Sequence, residues 1–260
     1  MLSRITGKLD TSLWMDIAWS VGGIAVFLGL WTAASVVIAK PILLPDPRAV
    51  AAGFISLVED GSLIGDVAAS LKRVLGGFAL ASLAAVPLAL VMAFWRPANL
   101  LLSPVITFLR PIPPIAWIPI AILWFGIGDP PSYFITAIAA FFPIFLNSYS
   151  GGRAVRPEHV HAARSLGAGP AALFRRIYLP SAMPHIATGL RVGLGQSWMA
   201  VVTAELIAAH SGLGYMIQAN RLALETGLVM VGMCVIGLLG ATMSFVLEFV
   251  ERTLLVPWKG

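Results

Sequence analysis

Six stretches of this chain, each between 22 and 32 residues long, carry almost no charge. A helix needs about 20 apolar residues to cross the hydrocarbon core of a bilayer, so each stretch is long enough to span one. Residues 17–38, 74–95, 130–152 and 226–247 hold no charged side chain. Residues 97–128 hold only Arg110, and residues 187–209 only Arg191 and Glu205. The whole chain is 11% charged, 29 of 260 residues, against about 25% in a soluble domain. Too little charge remains to cover a water-facing surface. That excludes an ordinary cytosolic enzyme, a nucleic-acid binder and a disordered chain. The net charge of +5 does not restore nucleic acid as a partner, because the basic residues sit between apolar runs rather than in a stripe. A single cysteine, Cys234, excludes a disulfide framework.

The expectation is an all-α membrane protein with six transmembrane helices. The third is the least regular, because Pro104, Pro111, Pro113, Pro114 and Pro119 fall inside it. Proline removes a backbone donor and breaks helices. Broken backbone at membrane depth is tolerated only beside protein or a water-filled cavity. The first run, flanked by Arg4 and Lys8, is longer than the apolar region of a signal peptide and is read as a retained span. With the N-terminus inside, the inner segments hold 11 of the 17 basic residues and the outer ones 5: Lys40, Arg48, Lys72, Arg73 and Arg221. Positive charge favours the inner side, so both termini are expected in the cytoplasm. The outer loops are expected to hold Asp46, Glu59, Asp60, Asp66, Asp129 and Glu225. Trp14, Trp19, Trp95 and Trp258 are read as interface anchors, and Gly22, Gly23, Gly29, Gly232, Gly237 and Gly240 as helix-packing positions.

The inner loop at 153–186 is too polar to span and too patterned to be a linker. Pro157 and Glu158 suit the start of a helix. Gly167 and Gly169 interrupt it, and Pro170 starts a second. In that second helix Leu173, Phe174 and Ile177 share one side while Arg175 and Arg176 take the other. Leu179, Pro180 and Pro184 are expected to end it. Physical reasoning leaves two uses for such a loop: a hairpin lying on lipid, or a dock for a cytoplasmic partner in which Leu173 and Phe174 plug an apolar groove.

The run His161-Ala162-Ala163, three residues, Gly167, nine residues, Ile177, one residue, Leu179-Pro180 resembles the EAA loop of ABC-importer permeases, with His161 where that pattern has Glu. Residues 109–114 (LRPIPP) with 124–128 (WFGIG), 188–191 (TGLR), 204–207 (AELI) and 212–215 (GLGY) are similar to the nitrate, sulfonate, taurine and bicarbonate branch. The likeness covers about residues 70–251. It implies a type I, MetI-like permease core with an extra N-terminal helix. Residues 1–62 would form the N-terminal segment, first span and outer loop, 63–251 the core, and 252–260 a cytoplasmic tail. It also implies a homodimer of permeases in the bacterial inner membrane, among lipid. Two ATPase subunits that bind ATP and Mg would lie below, and a periplasmic or lipid-anchored solute-binding protein would deliver cargo. The coupling helix that meets the ATPase would comprise His161, Ala162, Ala163, Gly167, Ala168, Gly169, Pro170, Ala171, Leu173, Phe174, Arg175 and Ile177. No cofactor is expected in this chain, which lacks a phosphate-binding Gly-x4-Gly-Lys-Ser/Thr loop and is not itself an enzyme.

Intramembrane charge is expensive and marks function or a specific pair. Arg110 lies about 12 residues into the third span, roughly 18 Å deep. It is read either as a lining for an anionic substrate or as a structural residue bound to freed carbonyls or to Glu205. Gln196, Ser197, Trp198, Thr203 and Glu205 are candidates for the translocation path. His159 and His161 are two apart and do not share a helix face, so no metal site is expected. A Ser197 hydrolase pair with His185 or His210 lacks a third group. The competing class is a stand-alone secondary transporter, which should show internal repeats and an intramembrane acidic site. No repeat stands out, and Glu205 is the one acidic candidate. An intramembrane enzyme would need a paired catalytic set, which the chain does not offer.

Overall fold

The computed structural model describes residues 3–250, and every regular element in that range is helical. The tail at 252–260, with Arg252, Trp258 and Lys259, lies outside the described residues. At Arg4, Lys8 and Trp14 only the backbone is described. Two compact units divide the chain. The smaller holds residues 1–60 and 219–231, and the larger holds 61–218 and 232–260.

In the smaller unit, α1 (Ser3–Ile38) is followed by α2 (Pro47–Glu59). Asp46 caps α2 by accepting from the Arg48 N–H, and Pro47 supplies the fixed φ that suits a first helical position. The indole N–H of Trp31 donates to the Pro45 carbonyl at 3.0 Å and ties the connection to α1. Thr226 donates to the Ile42 carbonyl in the same unit.

The larger unit is built on three long helices: α3 (Ser62–Phe94), α6 (Asp129–Arg153) and α9 (Leu179–Ala208). Small residues let their backbones approach. A Cβ on Gly77 would meet Thr136 at 2.6 Å, and one on Gly193 would meet Ile144 at 2.6 Å. Gly151 lies against His185, and Gly152 against Ala93. These pairings run α3 and α6 in the same direction and α9 against both. Dispersion and close packing replace the hydrophobic effect as the force that holds helices together in lipid. Between α3 and α6 the chain forms α4 (Arg96–Leu109), a single 3₁₀ turn (Pro114–Trp117) and α5 (Ile118–Phe125). α4 and the segment Pro114–Phe125 meet at 91°, so the proline-rich third run is a sharply broken pair. After α9 come α10 (Leu213–Leu222) and α11 (Thr226–Val250). Among the described residues, four helices are long and apolar enough to span a membrane, or up to six spans if each of two bent pairs counts as one.

Several expectations are corrected. Lys72, Arg73 and Asp66 belong to α3, which starts 12 residues before the apolar run, and Asp129 is the first residue of α6. Asp66 and Asp129, expected in outer loops, are therefore helical, as is Glu59 at the end of α2. Among the proposed packing glycines, Gly232 lies against Met216 and Ile217, and Gly240 against Trp198. A Cβ built on Gly22, Gly23, Gly29 or Gly237 would meet no other element of this chain within 4 Å.

Candidate functional site

Three places in the larger unit carry polar groups that an apolar fold would not need for packing alone. The first is the 153–186 loop. α7 (Pro157–Ser165) starts at Pro157 with Glu158 in its first turn, and it ends at Leu166 and Gly167. Gly167 has φ +81°, a left-handed conformation that glycine adopts without strain. Its N–H donates to the Arg164 carbonyl at 2.9 Å, closing the turn. Gly169 is extended, and Pro170 then opens α8 (Pro170–Leu173). α8 does not stop where the prolines suggested. It runs through a π-helical turn, Phe174–Tyr178, directly into α9. In a π turn each N–H reaches back five residues, so the local ladder accommodates Pro180, which has no N–H to give.

The loop's exposed face differs from the sequence reading. His161, Ala162, Gly167, Gly169, Pro170, Ala171, Arg175 and Arg176 are exposed, while Ala163, Ala168 and Ile177 are half-buried. Leu173 is buried at 4% exposure. Phe174 packs on the buried cluster of Leu90, Ala182 and Ile186, and its ring meets Phe94 edge-on at 5.7 Å. Leu173 and Phe174 therefore pack the loop against the chain's own helices. The apolar side chain left outside is Leu166, 88% exposed, on the turn before Gly167.

The second place is a cavity of about 280 Å³ beside the proline-rich break. Pro113, Pro114 and Ile115 form one wall, Ile135 and Ala139 another, and Gln196, Met199, Ala200 and Thr203 of α9 a third. Of the six path candidates, Gln196 and Thr203 line this cavity. Thr203 donates its hydroxyl to the Met199 carbonyl at 3.0 Å. Arg110 is exposed at the end of α4. The remaining three are in packing. Ser197 is fully buried. The Trp198 indole N–H donates to the Ile236 carbonyl at 2.8 Å, fixing α11 on α9. Glu205 is 1% exposed and belongs to a different cluster.

That cluster is the third place, at the end of the three-helix core away from the loop. Arg73 of α3, 2% exposed, donates to the Glu205 carboxylate at 2.7 Å, to the Ser211 hydroxyl at 2.8 Å and to the Asp129 carboxylate at 3.0 Å. Ser70 donates to both Glu205 oxygens at 2.9 Å, and the Gly214 N–H donates to one of them. Asp66 accepts from the Gly212 N–H at 2.7 Å. Gly212 has φ +104°, and a Cβ on it would collide with the Glu205 carboxylate. The cluster joins α3, the start of α6, the end of α9 and the start of α10. It answers the question left by Glu205: its partner is Arg73, not Arg110. In a low-dielectric interior a lone charge is costly and a fully bonded pair is tolerated.

Residues 77–255 match the family described as binding-protein-dependent transport system inner membrane component. The chain belongs to the binding-protein-dependent ABC permease family. The permease is 38% identical over 260 residues to a putative ABC transporter permease protein of Methanocaldococcus jannaschii, covering 98% of this chain and 96% of that one. It is 35% identical over 251 residues to the taurine transport system permease protein TauC of Escherichia coli, with 94% and 91% covered. A bicarbonate transport system permease protein, CmpB of Synechococcus elongatus, is 30% identical over 197 residues, with 75% and 71% covered. Among solved structures, the MetNI methionine ABC transporter in an inward-facing conformation superposes with a TM-score of 0.62 at 18% identity, covering 71% of the permease and 92% of that chain. That likeness extends the MetI-like fold to this chain. As the membrane component of an ABC importer the permease is not an enzyme, and ATP hydrolysis falls to a separate subunit.

Proposed function

We propose that the permease carries a small solute with an anionic oxyacid group, of the sulfonate, taurine, nitrate or bicarbonate type, through the inner membrane, handed over by a solute-binding protein on the outer side. It works as a homodimer surrounded by lipid, with both termini in the cytoplasm and two ATPase subunits, which hold ATP and Mg, beneath the 153–186 loop. Residues 63–251 form the transporting core, with 1–62 added before it and 252–260 as a cytoplasmic tail. The substrate class rests on the names of relatives such as TauC and CmpB.

The observation that carries the coupling assignment is the loop itself. It presents a basic, exposed surface around a tight turn and continues without a break into α9, which lines the cavity at Gln196 and Thr203. In this reading His161, Ala162, Ala163, Gly167, Ala168, Gly169, Pro170, Ala171 and Arg175 meet the ATPase. Leu173, Phe174 and Ile177 stiffen the loop from behind. Motion of the ATPase pair then reaches the path through one helix. The test is reconstitution in liposomes with and without the ATPase and the binding protein. Uptake should require both, together with ATP. Uptake by the permease alone would establish a secondary transporter instead.

A further inference from the structure

The polar residues of α4 fall on one face. Arg96, Asn99, Ser103, Thr107 and Arg110 recur at spacings of three, four, four and three. At 100° per residue they share an arc of about 80°, and they extend over about 21 Å of helix. Arg110 continues that helix, with φ −54° and ψ −42°. The neighbouring arc, with Ala98, Leu102 and Ile106, packs into the core against Ala85, Ala140 and Phe145. The polar arc instead opens on a groove of about 570 Å³ lined by Asn99, Leu100, Ser103, Pro104, Thr107 and Phe108.

Hydroxyls in apolar helices ordinarily turn back to bond their own backbone. Ser82, Thr188, Thr203 and Thr242 all do so here. None of the hydrogen bonds among the described residues uses the hydroxyl of Ser103 or Thr107. Asn99 accepts from the Tyr149 hydroxyl at 2.9 Å, which fixes its side chain and leaves its amide donors for the groove. A polar stripe facing lipid would cost several kcal/mol per unsatisfied group. Donors without an acceptor, bracketed by two guanidinium groups and with no carboxylate on the arc, match a hydrated anion.

We propose that this face of α4 is the inner half of the translocation path, leading a small oxyanion from Arg110, at the bend, to Arg96 at the loop end of the core. The inference rests on the importer reading, and it assigns a route that neither the coupling loop nor the Gln196 cavity contains.

Cysteine accessibility tests it. Cys234 is the chain's single cysteine and is replaced first, Cys234→Ser. Cysteines are then placed singly at Ser103 and Thr107, and for comparison at Leu101 and Val105 on the far side of the same helix. The complete transporter, with its ATPase and binding protein, is treated in liposomes with 2-sulfonatoethyl methanethiosulfonate and with its trimethylammonium counterpart. The sulfonate reagent should modify positions 103 and 107 at least ten-fold faster than 101 and 105, block uptake, and lose most of that advantage in Arg110→Gln. Equal rates at all four positions, preference for the cationic reagent, or modification of 103 and 107 only by a lipid-soluble maleimide would each overturn the route. ATP-dependent uptake by the unmodified Cys234→Ser transporter, measured alongside, separates this failure from failure of the importer reading, which would abolish that uptake itself.

Discussion

With Glu205 removed, the Arg73 guanidinium would keep only Asp129 and Ser211 while remaining 2% exposed. Breaking one partner of a buried pair costs about 3–5 kcal/mol, whereas replacing both by apolar groups is far less damaging. Glu205→Gln and Arg73→Met should therefore each lower the thermal unfolding midpoint of the solubilised transporter, and the double change to methionine should recover part of the loss. Singles that unfold at the original midpoint would show that the cluster contributes no stability. Gly167 makes a different demand. Nothing lies within 4 Å of a Cβ built there, so the obstacle to a side chain is φ +81° alone. Gly167→Val should insert into the membrane normally and lose most ATP-dependent uptake, while Gly169→Ala, at an extended φ of −75°, should retain it. Uptake at full rate by Gly167→Val would remove the loop from coupling. At this scale the sequence disclosed Gly167 through its spacing. It also offered a signal for the ion cluster that single-residue reasoning passed over. In a six-span topology the start of the second span, the start of the fourth and the end of the fifth lie on one side. Arg73, Asp129 and Glu205 occupy those three ends.

Helix lengths were less legible than helix positions. Apolar runs mark where a helix meets lipid, but helices continue past that boundary when side chains can pair, as α3 does over Asp66 and Arg73. Prolines misled in both directions. Pro111, Pro113 and Pro114 break the third run, because consecutive residues there lack donors. Pro180 and Pro184 do not end α9: Pro180 lies in its first turn beside the π turn, where no N–H is needed, and the helix continues past Pro184, whose missing N–H forgoes a single ladder bond to the Pro180 carbonyl. Sequence patterns carry no information on which helix faces which, so the glycine contacts were available only from the fold. Gly77 illustrates their strength. A side chain there would drive into Thr136 and the Tyr133 carbonyl, both on α6. Gly77→Leu should prevent α3 and α6 from closing, seen as loss of the monodisperse peak in size-exclusion chromatography. Gly65→Leu on the same helix, with nothing within 4 Å, should keep it.

The orientation proposed from the basic residues and the placement of the loop make one joint prediction about the whole molecule: Leu166 should face the cytoplasm. A cysteine at that position in the Cys234→Ser background should react with a membrane-impermeant maleimide in inside-out vesicles and not in right-side-out ones. The reverse pattern would invert the topology and place the ion cluster on the inner side. Under the coupling proposal the exposed Leu166, rather than the buried Leu173, is the large apolar side chain open to an ATPase groove. Leu166→Asp should reduce ATPase retained on the purified permease several-fold, with membrane insertion unchanged.

The unbroken passage from α8 through the π turn into α9 gives the molecule a single shaft. Its α9 portion is about 45 Å long, with the turn at Gly167 near one end and Glu205 near the other. A tilt of a few degrees at the base moves the far end by several ångström, more than a hydrogen bond stretches. Glu205 is bonded there to Arg73 and Ser70, on a second helix, while Arg73 in turn holds Asp129 on a third. The shaft therefore turns only by carrying α3 and α6 with it or by parting those bonds. In mechanical language the cluster is a latch that holds the far end of α9 to α3 and α6.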